Sequence, residues 1–129
     1  MRKLIFISLL VVLSALLIAC GSAATPAAAP SKPVNIKMET NPNPATVGDA
    51  ELIFTITDAN ADSIEGAKVD VSADHTDMSG MGMSGAATEQ GGGKYSIKAN
   101  FSMSGNWKLK VYVRKEGLDY SEEIPLPIQ

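Results

Sequence analysis

The feature that most constrains this chain is a period of two in its apolar residues, which begins at Val34 and runs almost to the end. Val34, Ile36 and Met38 alternate with Asn35 and Lys37, and Leu52, Phe54 and Ile56 repeat the pattern. Val69 and Val71 follow, then Tyr95, Ile97, Ala99 and Phe101 between Ser96, Lys98 and Asn100. Trp107, Leu109, Val111 and Val113 alternate with Lys108, Lys110 and Tyr112. Successive side chains on a strand point to opposite faces, so each run has one face for a core and one for water. A helix would need a period of 3.6, and no segment after residue 33 carries it convincingly.

Turn residues separate the runs: Asn41-Pro42-Asn43-Pro44, Val47-Gly48-Asp49, Asp58 to Gly66, Gly91-Gly92-Gly93, Ser104-Gly105-Asn106 and Glu116-Gly117. Residues 120–128 hold Pro125 and Pro127, whose missing N–H groups fall on one side of a strand, so this segment is expected at a sheet edge. The spacing predicts an all-β fold, an immunoglobulin-like antiparallel β-sandwich of about seven strands over residues 34–129. Trp107, near a strand centre, is expected to anchor its core.

The N-terminus has a different composition. Residues 1–19 contain 15 apolar side chains behind the basic pair Arg2-Lys3. Leu4 to Ala19 is 16 residues long, interrupted only by Ser8 and Ser14, whereas a bilayer span needs about 20. The segment therefore reads as a secretory signal peptide, 1–19. It ends in Leu17-Ile18-Ala19-Cys20-Gly21, which resembles the lipobox of bacterial lipoproteins. That resemblance implies cleavage before Cys20 and lipidation of its sulfur, giving a protein anchored to the extracytoplasmic face of a membrane in the cell envelope. The single cysteine of the chain rules out an internal disulfide. Residues 20–33, rich in Ala, Pro and Ser, read as a linker between anchor and domain.

The formal charge is −3, and removing Arg2 and Lys3 leaves −5. There is no basic stripe for phosphates, so nucleic acid is not an expected partner. Asp58 to Val69 starts like a calcium loop but has Ser63 where glycine is needed and Val69 where a bidentate glutamate belongs, so it reads as a turn. No G-x-S-x-G or related context surrounds any serine, and an enzyme is not expected.

One segment interrupts the alternation. Within Asp74 to Gly85 the only histidine and three of the five methionines beyond Cys20 fall as H-x-x-M-x-x-M-x-M: His75, Met78, Met81 and Met83. Their neighbours are mostly Ser, Gly and Asp, which form no apolar face for methionines to complete. Thioether sulfur is a soft, neutral ligand that favours Cu(I), and imidazole also binds copper. The same residues admit other readings: methionines folded back as flexible packing over the end of the sandwich, or a harder ion or Cu(II) held by Asp70, Asp74 and Asp77 with His75.

Taken in order, Pro44, Val47-Gly48-Asp49, Leu52-Ile53-Phe54, Asp58, Ile64-Glu65-Gly66-Ala67-Lys68-Val69, the Met-rich segment, Gly93-Lys94-Tyr95 and Phe101-Ser102-Met103-Ser104-Gly105-Asn106-Trp107 resemble the YtkA-like domains, relatives of the FixH-like envelope proteins. The resemblance covers about 38–115. It implies a small immunoglobulin-type sandwich associated with copper handling and cation transport, with Met78, Met81 and Met83 as copper ligands and Met103 as a further one. The family loop commonly reads M-P-x-M with a histidine, whereas no proline follows Met78 here and His75 precedes the methionines. Partners implied are a copper transporter or oxidase assembly protein. The rival expectation is a non-metal β-sandwich module that docks on a transporter or oxidase complex.

Overall fold

The computed structural model describes residues 32–129. The expected signal peptide, Cys20 and the linker up to residue 31 lie outside the described residues. Eight strands follow in chain order: β1 Val34–Asn41, β2 Gly48–Asp58, β3 Lys68–His75, β4 Gly82–Ala86, β5 Thr88–Gly91, β6 Lys94–Phe101, β7 Gly105–Lys115 and β8 Leu118–Ile128. They form two four-stranded sheets, ordered β1-β2-β6-β5 and β4-β3-β7-β8, and every pairing is antiparallel. This is the immunoglobulin strand order, with β4 as the extra strand at the edge of the second sheet.

The alternation read from sequence becomes the inner face of each sheet. Leu52, Phe54 and Ile56 of β2 and Tyr95 and Phe101 of β6 are buried from one side. Val69, Val71 and Ala73 of β3 and Trp107, Leu109, Val111 and Val113 of β7 are buried from the other. All belong to one apolar cluster, and Phe101 and Trp107 meet edge to face between the sheets with ring centres 5.2 Å apart. Burying a side chain such as Phe54 or Leu109 stabilises by about 1.5–3 kcal/mol. Exposed pairs such as Lys108–Glu123, at 3.5 Å, contribute about 0–1 kcal/mol. The core, not surface charge, holds this domain together.

Pro125 and Pro127 sit on β8, which among the described residues has β7 as its only strand neighbour and so forms an edge, as expected. The end of β8 is tied down by the β1–β2 connection: Val47 N–H donates to the Gln129 carbonyl and Gln129 N–H donates to that of Ala45, both at 3.0 Å.

The strand count is where the structure goes beyond the sequence pattern. β4 and β5 lie in the stretch between the third and fourth apolar runs. β4 is built from Gly, Met, Ser and Ala, and its alternation is Met83 and Gly85 half-buried against Gly82, Ser84 and Ala86 exposed. A glycine does not register as apolar, so the period was hidden. β5 is exposed along its whole length and has no apolar face to detect.

Candidate functional site

The Met-rich segment divides into two parts with different physical fates. Thr76 to Met81 turns the chain between β3 and β4, and β4 then pairs with β3 in the register Asp74↔Gly82 through Asp70↔Ala86. One more bond, from His75 N–H to the Met81 carbonyl at 3.1 Å, carries the pairing toward the turn. Met81, the last residue of the turn, and Met83, on the edge strand, are both half-buried. Met83 packs against the core cluster.

Met81 and Met83 line one pocket of about 150 Å³ together with Asn100 and Ser102 from the other sheet's end, Trp107, Gly80 and Gly82. Every lining residue is uncharged. Larger hollows of about 330 and 410 Å³ surround Glu51 and Lys98, and one of about 260 Å³ lies beside Tyr112, but none of these is lined by a sulfur atom. The pocket at Trp107 is thus the one lined by methionines among those described.

Trp107 is held on several sides. Its Nε1–H donates to the Met103 carbonyl at 3.2 Å, and its ring meets those of Phe101 and His75 edge-on, each at 5.2 Å between centres. Met103 itself is half-buried against the core, in the turn between β6 and β7, and is not among the residues lining the pocket. Met78, at the tip of the β3–β4 turn, is 47% exposed and also lies outside the lining.

His75 is buried at the end of β3, opposite Trp107 in the β3–β7 register. Asp77 N–H donates to its Nδ1 at 3.2 Å, so the ring proton sits on Nε2, which lies 3.3 Å from the Ser104 carbonyl. Both ring nitrogens are therefore engaged within the protein, and ligation would require one of these bonds to break. The turn gains a further tie from Thr76, whose N–H and hydroxyl both donate to the Asn106 carbonyl at 2.9 Å.

Alternation on β3 separates the hard donors. Asp70 and Asp74 lie on the opposite face of that strand from buried His75. Among the described residues no three of His, Cys, Asp and Glu gather as a metal-holding group. The reading of a hard ion held by Asp70, Asp74 and Asp77 with His75 is corrected on this ground. Asp58, at the calcium-like stretch, instead closes a turn: its Oδ1 accepts from the N–H groups of Asn60 and Asp62 at 2.8 and 3.0 Å.

Sequence reasoning placed Trp107 in the core, where it is, but missed that it also walls the pocket. Asn100 and Ser102 were not singled out either, because only the packing of the β6 end against β4 and β7 brings them there.

Residues 28–112 match the family model described as YtkA-like, a span that takes in β1 through most of β7 with the Met-rich segment and Trp107 inside it. No curated protein and no solved structure matches the chain.

Proposed function

The chain belongs to the YtkA-like family, and from that membership and the site geometry we propose that it binds copper as Cu(I) and carries it at the cell envelope. The observation that supports this reading is the convergence of Met81 and Met83 in one uncharged pocket. Two neutral thioethers favour a soft monovalent ion over zinc, calcium or magnesium. Met78, exposed on the turn that leads into the pocket, is suited to meet the ion first and pass it inward. Met103 and His75 support the site from behind, through the Met103 carbonyl on Trp107 and the His75 ring against it.

Neutral thioethers bind moderately and release readily, which suits a carrier rather than an enzyme. In this reading residues 1–19 are removed and acylated Cys20 anchors the protein on the extracytoplasmic face of the membrane, since two or more acyl chains give durable attachment where one does not. The linker through residue 33 gives the domain reach, and the partner is a copper transporter or oxidase assembly protein that takes or supplies Cu(I). Nucleic acid has no place in it, given a charge of −3 for the whole chain.

Met83 also packs against the core, and that contact favours the rival reading of a non-metal accessory module whose methionines are only filler. A Cu(I) competition titration against a chromophoric chelator separates the two. The wild-type protein should take copper from the chelator, and Met81→Leu/Met83→Leu should not. Failure of the wild type to take copper would falsify the copper reading and leave the accessory module, and equal uptake by both proteins would remove Met81 and Met83 from the site.

A further inference from the structure

Trp107 is the only tryptophan of the chain, 3% exposed, and one of the residues that line the methionine pocket. The ring's one polar atom, Nε1, is bonded to the Met103 carbonyl. What the indole has left to offer a ligand is therefore aromatic carbon. An indole face carries negative electrostatic potential and attracts cations within about 6 Å of the ring centre, more strongly when water is excluded. The edge contacts with His75 and Phe101, inclined at 78° and 75°, fix the ring in place before any ion arrives. No carboxylate lines the pocket to attract a divalent ion in its place.

We infer that Trp107 is a third binding element of the metal site, its indole surface holding a soft monovalent cation against the thioethers of Met81 and Met83, and that it sets selectivity for Cu(I)-like ions over divalent ones. The inference rests on the copper reading above. It adds a residue whose role the sulfur atoms do not imply: two thioethers leave a d¹⁰ ion coordinatively open, and the indole covers the open side without adding charge. His75 acts through Trp107 as a positioning residue, with its ring against the indole and its nitrogens tied to Ser104 and Asp77.

The test uses Ag(I), a soft monovalent ion that needs no reductant, with the detergent-solubilised full-length protein. Because Trp107 is the sole indole, its fluorescence reports on this site alone. It can also be replaced throughout by 5-fluoro- and difluorotryptophan, which weaken the ring's negative face at nearly constant shape. Ag(I) should quench the emission at one equivalent, while Zn(II) should leave it unchanged. Affinity should fall with each added fluorine while circular dichroism stays the same, and Trp107→Leu should bind roughly 2- to 30-fold more weakly. Equal Ag(I) affinity across the fluorinated series, with Met81→Leu/Met83→Leu still abolishing binding, overturns the role of Trp107 and leaves the thioether site standing. Ag(I) binding that is indifferent to Met81→Leu/Met83→Leu overturns the copper reading and this inference with it.

Discussion

Replacing Gly105 with alanine perturbs the support of the pocket without touching a proposed ligand. Gly105 opens β7 with φ at +127°, a backbone conformation that L side chains rarely adopt. Forcing alanine into such a region costs about 1–3 kcal/mol. The added Cβ would also lie 2.6 Å from His75 Nε2 and 3.2 Å from its Cε1, so the ring must move. His75 is bonded at both nitrogens and lies against Trp107, so it has little room to yield. Overpacking of this kind costs about 1–3 kcal/mol more. The sum, about 2–6 kcal/mol, is a large part of the roughly 5–15 kcal/mol that stabilises a domain. Gly117→Ala is the control: its φ is +71°, but the new Cβ would meet nothing within 4 Å. Only backbone strain remains there, about 1–2 kcal/mol. Urea unfolding followed by Trp107 fluorescence measures both, and the midpoint should fall clearly further for Gly105→Ala at an unchanged slope. If the two variants lose the same stability, the packing of His75 into the space beside Gly105 is wrong.

Four further outcomes are expected, three from the structure and the last from the sequence around Cys20. The Tyr95 hydroxyl donates to the Ile64 carbonyl at 2.8 Å and accepts from Ala67 N–H at 3.1 Å, so Tyr95→Phe orphans both groups and should cost about 1–3 kcal/mol in urea unfolding. Burial raises the Tyr95 phenol above its ordinary value of 10.0; the folded state thus favours the protonated form, its contribution is complete below about pH 10, and it is lost as pH climbs through the raised value. Wild-type stability should therefore decline more steeply than that of Tyr95→Phe in alkaline titrations. Met81→Leu/Met83→Leu, a swap of near-constant volume, should change stability by less than about 1.5 kcal/mol per site, and a larger loss would mean that the two methionines are chiefly core. Cys20→Ser should release the protein from membranes in fractionation, and a processed form that stays membrane-bound would count against lipidation.

How far the sequence carries a reader differs from one strand to the next. β2 and β7 were legible because Leu52, Phe54 and Ile56, and Trp107, Leu109, Val111 and Val113, recur at every second position, and the inner face of a sandwich demands that period. β4 was not, because Gly82, Ser84 and Gly85 carry no hydropathy signal and pair through backbone bonds alone. That gap mattered for the site. As a loop, Met78, Met81 and Met83 looked equivalent; as a turn followed by an edge strand, Met78 is exposed while Met81 and Met83 are half-buried and line one pocket. His75 illustrates a second limit. Its residue type suggests ligation, but only the register opposite Trp107 and the close approach of Gly105 reveal a buried ring with both nitrogens engaged.

The central claim, that Met81 and Met83 are the copper-binding pair, is tested most directly by carbon-13 labelling of the methionine methyl groups and recording their proton–carbon correlation spectrum as Cu(I) is added. Each methionine gives its own signal, assigned by single Met→Leu substitution. The account predicts that the Met81 and Met83 methyls move together and saturate at one equivalent, while Met38, buried part-way on β1, stays still. Signals of Met81 and Met83 that remain fixed through one equivalent of Cu(I), whatever the other methyls do, would contradict it.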